Sequence, residues 1–167
     1  MIEFGDDIRE VFLQPGGFHF GSGRTRISTL LGSCISITLW HPARLVGGMC
    51  HFMLPSRGQS AGAALDGRYA DEALVLFDRE VAKAGSRPGD YQVKVFGGGN
   101  MLTRADDSSE LMDIAARNIE SAYALLARHG YRPAALAHCG GKGHRKLIFD
   151  LWTGHVWLAH RPLGSVA

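Results

Sequence analysis

The stretch ISTLLGSCISITLWHPARLVGGMCHFMLP, Ile27–Pro55, decides how the rest of the chain is read. Ile35, Ile37 and Leu39 alternate with Ser36, Thr38 and Trp40, the period-two pattern of a strand with two unlike faces. Val46–Leu54 repeats the pattern with heavier apolar content. Between them His41-Pro42-Ala43-Arg44-Leu45 has hairpin length, and its proline cannot extend a ladder. A hairpin centred near Ala43 pairs residues whose numbers sum to about 86, which sets Cys34 opposite Phe52 with His51 one step along. Opposed Cβ atoms lie ~5 Å apart and diagonal ones ~7–8 Å. A bulge, or the pair Gly47-Gly48, would correct a one-residue slip and bring Cys34 and His51 to one side.

A thiol and an imidazole that meet are the minimum equipment of a cysteine nucleophile. The imidazole takes or shares the thiol proton, and the thiolate attacks a carbonyl carbon. Gly32-Ser33, just before Cys34, reads as a tight turn whose backbone N–H groups face a developing oxyanion. If His51 shares the proton, the Cys34 thiol is expected below the range of a free thiol. The plainer reading is that a cysteine on a strand is a small buried hydrophobe, and spacing alone leaves both open.

With 167 residues the chain is read as a single domain, 1–167, long enough to bury a core. A charged content of 20% and a net charge of +2, with no basic run, give no electrostatic footprint for nucleic acid. No apolar stretch approaches the ~20 residues that span a bilayer, and the acidic start MIEFGDDIRE lacks a signal-peptide core. The expected compartment is the cytoplasm. Three cysteines, an odd number, argue against a disulfide framework.

Around the central stretch, Val11–Leu13 predicts a short strand before Pro15-Gly16-Gly17, and Arg26–Leu31 a strand that delivers the chain to Gly32. Ser56–Gly62 is small, polar and loop-like. Tyr69–Lys83 has helical spacing in Ala70, Ala73, Leu74, Phe77 and Val81, with Gly85 as a stop. Tyr91–Phe96 alternates as a strand and runs into Gly97-Gly98-Gly99-Asn100, read as a turn near the active centre; no P-loop lysine follows it. Asp107 with Glu110 is a capping signal for a helix Glu110–Arg128 ended by Gly130. Asn118 on its apolar face reads as a hydrogen-bonded core group. Ala134–His138 is a short strand, and Leu147–Leu151 with His155–His160 a last hairpin around Thr153-Gly154. Two long helices and seven or eight strands without strict alternation predict an α+β fold. The expected form is a layered sandwich, helices on one side of a mixed or antiparallel sheet and a second sheet behind.

The motifs LLGSCISITLWHP and VGGMCHFMLP resemble those of the CheD family of bacterial chemotaxis proteins, as do GRYADEAL at 67–74, FGGGNM at 96–101, ARNI at 116–119 and CGGKGHRKLIFD at 139–150. The resemblance runs in order through nearly the whole chain. It implies an α/β/β sandwich, also similar in fold to toxins that deamidate a glutamine on small GTPases. It further implies a cysteine-dependent deamidase that converts chemoreceptor glutamines to glutamate and ammonia through a thioester. The substrate is then a receptor's cytoplasmic helical bundle, and a CheC-type phosphatase is a further partner. By this resemblance Cys34 is the nucleophile and His51 the base and acid. The family's third member is a threonine six residues before the cysteine. Here that position is Ser28, with Thr29 adjacent. Ser28 matches by position and shares strand parity with Cys34, so it is preferred, and Thr29 stays open. His138-Cys139 stands before a Gly-Gly pair where the family often has an acidic residue. Gly99-Asn100 stands where Ala-Ser is common.

Two other readings compete. Cys50-His51, His138-Cys139 and His144 offer zinc-type ligands, but neighbours on a strand point to opposite faces and no C-x-x-C pair exists. The preferred assignment therefore has no metal and no cofactor. A silent adaptor that binds other chemotaxis proteins is the third reading, and an intact Cys34 and His51 weigh against it.

Overall fold

The alternation in Ile35–Leu39 becomes two chemically different faces of one strand, and the fold is built on both. A computed structural model describes residues 7–58, 62–101, 109–134 and 138–161, with 109–113 described by backbone alone. Among them are nine strands and two long helices: β1 (Arg9–Leu13), β2 (Phe18–Ser22), β3 (Thr25–Leu31), β4 (Ile35–His41), β5 (Val46–Cys50), α1 (Ala70–Lys83), β6 (Gln92–Gly97), α2 (Ser109–Arg128), β7 (His138–Cys139), β8 (His144–Asp150) and β9 (Val156–Arg161). The expected capping residue Asp107 lies outside the described residues.

One sheet has the order β1-β3-β8-β9 and the other β2-β5-β4-β6-β7. Each is mixed, because β1 runs parallel to β3 and β7 parallel to β6. Phe18–Ser22 forms β2, the edge partner of β5.

Ile35, Ile37, Leu39, Cys50 and Phe52 join Ala73, Leu74 and Phe77 of α1 and Ala122 and Leu126 of α2 in one core layer. Met49 and Phe96 turn the other way and meet Leu13, Ile27, Leu31, Leu147 and Phe149 in a second layer between the sheets. Helices, five-stranded sheet and four-stranded sheet therefore stack as the α/β/β sandwich expected of an α+β chain. Every apolar face is buried against another, which is what makes two layers of core possible.

The close approach of β5 to its neighbours requires glycine. A β-carbon on Gly47 would lie 2.1 Å from the Leu39 carbonyl, and one on Gly48 would lie 2.4 Å from the His19 carbonyl. The pair thus tightens the centre of the sheet and does not form a bulge. The β4–β5 ladder runs His41↔Val46, Trp40↔Gly47, Leu39↔Gly48 and Thr38↔Met49. The loop is therefore Pro42–Leu45, closed by Leu45 N–H donating to the His41 carbonyl at 2.8 Å, with Leu45 at φ 53°.

Candidate active site

That register is one residue away from a hairpin centred on Ala43, and the difference matters. Ile35 and Phe52 continue the same ladder as an antiparallel bridge, with N–H···O distances of 3.1 and 2.9 Å. Continued one step, it sets Cys34 opposite Met53, and Ser36 opposite His51. Cys34 and His51 are thus diagonal neighbours on the sheet-facing side, and no bulge is needed to bring them there. The Ser36 hydroxyl donates to the Cys50 carbonyl at 2.7 Å, locking the strands beside the pair.

Cys34 sits where the chain passes from one sheet to the other. β3 belongs to the four-stranded sheet and β4 to the five-stranded one, and Gly32-Ser33-Cys34 is the crossing. Each carbonyl of the crossing is fixed. Gly32 accepts from Gly99 N–H at 2.9 Å and Cys34 accepts from Gly98 N–H at 2.9 Å. Ser33 accepts from Asn118 Nδ2 at 3.2 Å. In a trans peptide the N–H points opposite to the C=O. The Ser33 and Cys34 N–H groups are therefore turned away from Gly99 and Asn118.

His51 is 2% exposed. Its backbone is gripped by the Pro15–Gly17 turn: Gly16 N–H donates to the His51 carbonyl at 2.8 Å, and His51 N–H donates to the Gly17 carbonyl at 3.0 Å. Its Nδ1 lies 2.7 Å from Thr29 Oγ1, and the same hydroxyl donates to the Leu13 carbonyl at 2.7 Å. A threonine hydroxyl carries one hydrogen. With that hydrogen given to Leu13, Thr29 accepts from Nδ1–H, which fixes the tautomer and leaves the lone pair on Nε2. Nε2 is buried and has no partner among the described residues.

The preference for Ser28 as the partner of His51 is corrected here. β3 buries Thr25, Ile27, Thr29 and Leu31 between the sheets, and Ser28 lies on the other, partly exposed face. Its cross-strand neighbours are Phe12 and Ile148. Strand parity does not carry through the Gly32–Cys34 crossing, so a residue that shares parity with Cys34 does not share its side.

Burial holds the His51 imidazole down to about 4, and burial pushes the Cys34 thiol up, with a hydrogen bond from the Ser33 side chain opposing it. The resting pair is therefore a neutral thiol and a neutral imidazole, not the depressed thiol expected from the sequence. The other thiols are further from reactivity: burial pushes Cys50 to about 12 and Cys139 to about 11.

Cys50 packs in the helix-side core while its neighbour His51 faces the sheets. His138 stacks on Phe96 at 5.3 Å between ring centroids. Among the described residues no group of three or more His, Cys, Asp or Glu side chains is arranged to hold a metal.

The family model described as CheD chemotactic sensory transduction matches residues 53–160. A protein of Dechloromonas aromatica (strain RCB), named probable chemoreceptor glutamine deamidase CheD 3, is 56% identical over 96% of this chain and 92% of its own length. The chain belongs to the CheD family. A second CheD relative, from Pseudomonas fluorescens (strain SBW25) and named probable chemoreceptor glutamine deamidase CheD, is 49% identical over 93% of this chain and 86% of its own. Among solved structures, the hypothetical protein YfiH of Bacillus licheniformis overlaps with a TM-score of 0.46 at 15% identity, over 72% of this chain and 51% of that one.

The departure from the family pattern at Gly99 has a physical counterpart. A β-carbon there would lie 2.2 Å from the Gly143 carbonyl, so this CheD chain has no room for the more usual alanine. No pattern in the chain signals the Leu13 carbonyl or the Gly16-Gly17 grip on His51, because both are backbone contacts that any side chain could accompany.

Proposed function

We propose that the protein is a chemoreceptor glutamine deamidase, with Cys34 as nucleophile, His51 as proton carrier and Thr29 as the group that orients it. The observation that carries this reading is the orphaned Nε2 of a buried His51, whose other nitrogen is committed to Thr29. A buried acceptor without a partner costs stability, and it is retained where a proton must be taken up. The names of the CheD relatives, which are for chemoreceptor glutamine deamidases, supply the substrate.

Nε2 takes the thiol proton as the sulfur adds to the glutamine carboxamide carbon. The negative charge that develops on the amide oxygen is met by N–H groups of the Gly32–Cys34 turn, Ser33 among them. The imidazolium then protonates the departing amine, ammonia leaves, and a thioester remains. Water attacks the thioester with Nε2 as base, and glutamate and the free thiol are regenerated. A threonine hydroxyl brings no negative charge to stabilise imidazolium. Burial holds His51 down to about 4, so the free enzyme presents Nε2 as a base.

Among the described residues no helix is long and apolar enough to cross a membrane. The proposal has the protein acting in the cytoplasm on the helical bundle of a membrane-bound receptor, and makes a CheC-type phosphatase the partner to test. Incubation with a receptor cytoplasmic fragment followed by mass spectrometry tests the activity. A gain of about 1 Da at defined glutamines, absent with Cys34→Ala, is the expected result, and unmodified glutamines would refute it.

A further inference from the structure

The nucleophile and the base sit on separate segments, and one side chain from a third element joins them. Asn118 on α2 is fully buried. Its Nδ2 donates to the Ser33 carbonyl at 3.2 Å and to the Met53 carbonyl at 2.8 Å. Ser33 directly precedes Cys34, and Met53 lies two residues beyond His51 and opposite Cys34 in the register. Among the described residues Asn118 Oδ1 is buried without a partner. A residue selected only to fill this core would not bring an unpaired acceptor with it; Oδ1 accompanies the two-donor Nδ2 that the Ser33 and Met53 carbonyls use. The reverse orientation of the amide would set an acceptor against two carbonyls, so the two hydrogens of Nδ2 dictate how the group lies.

Resting on the reading of Cys34 and His51 given above, we propose that Asn118 is a positioning residue for catalysis. It holds the Ser33–Cys34 peptide so that its N–H faces the reacting amide, and it fixes the distance between the nucleophile turn and the base-bearing strand. A carboxamide is suited to this because it alone among uncharged side chains offers two donors from one atom in a plane. The helix brings it there because the seat beneath is glycine: a β-carbon on Gly98 would lie 2.4 Å from Ile119 Cγ1, next to Asn118 in sequence.

The test is a mutant cycle with two readouts, the rate of iodoacetamide labelling of Cys34 and turnover of a receptor fragment. The proteins are wild type, Asn118→Leu, His51→Ala and the double variant. Asn118→Leu is expected to melt close to wild type, to lose about 10²-fold in kcat with KM nearly unchanged, and to lose the His51-dependent part of the labelling rate. The double variant should then be little worse than His51→Ala, because both remove the same arrangement. Asn118→Ala serves as a second variant without added bulk. Wild-type kcat in a folded variant, losses that multiply in the cycle, or failure of both variants to fold would each overturn the assignment. Labelling of wild-type Cys34 that does not depend on His51 would instead refute the reading of the pair on which it rests.

Discussion

Thr29 and His51 are joined by a 2.7 Å contact in which the threonine accepts, because its only hydrogen is spent on the Leu13 carbonyl. This makes a neutral hydroxyl on one sheet determine which ring nitrogen of a histidine on the other sheet is basic. From β1 the site takes the Leu13 carbonyl, and that carbonyl sets the tautomer.

Thr29→Ala should therefore cost about one to two orders of magnitude in turnover, less than His51→Ala, since ring orientation is lost while the base remains. Thr29→Ser keeps the hydroxyl and should retain most activity, whereas Thr29→Val keeps the shape and should behave like alanine. Ser28→Ala should be nearly silent, as its side chain is on the far face of β3. Turnover of one receptor fragment by these variants decides it; a crippled Ser28→Ala beside an active Thr29→Ala would reverse the assignment.

The pH dependence follows from the burial of His51. Its folded value of about 4 lies below its value of 6.5 outside the fold. The unfolded chain therefore binds the proton more readily, and stability falls as pH drops from about 6.5 and bottoms out below about 4. The loss attributable to this group is at most about 3–4 kcal/mol. Denaturant titrations between pH 7 and 4 should show it in wild type and not in His51→Phe. The imidazole stays mostly neutral from pH 7 down to about 5, so turnover should have no acidic limb from His51 until pH nears 4.

For the thiols, Cys34→Ala and Cys34→Ser should abolish deamidation with the fold retained. Cys34 labelling should rise with pH through a range above that of a free thiol, since burial pushes it up. Cys50→Ala leaves a small void in the helix-side core and should cost about 1 kcal/mol with activity intact. Cys139→Ala should be milder still. Circular dichroism melts paired with turnover separate these effects.

Gly98→Ala is expected to damage both stability and catalysis. The residue has φ +65°, and its β-carbon would collide with Ile119. Pushing α2 outward moves Asn118 off the Ser33 and Met53 carbonyls. A loss of about 1–3 kcal/mol is expected, with kcat reduced more than in a surface glycine control such as Gly89→Ala, where a β-carbon meets nothing within 4 Å. Equal activity of the two variants would exclude the coupling.

The periodic elements and the family are legible along the chain alone. Alternation in Ile35–Trp40, helical spacing in Ala70–Val81 and the paired motifs around Cys34 and His51 are local patterns, and local sterics and burial read them the same way in any context. The layered arrangement is legible too: two helices and many strands without strict alternation predict an α+β sandwich, and the family resemblance implies its α/β/β order. The sequence did not carry the register of β4 on β5, which turned on whether the loop held four residues or five, a choice made by a positive φ at Leu45. Nor did it carry the choice of Thr29 over Ser28. Parity along β3 is local, but which face meets His51 depends on how the chain crosses between sheets at Gly32–Cys34. The partners that finish the site, the Leu13 carbonyl and the Asn118 amide, lie 38 positions before and 67 after His51 in the chain. Only the stacking of two sheets and a helix brings them within hydrogen-bond reach, and no pattern along one strand contains that information.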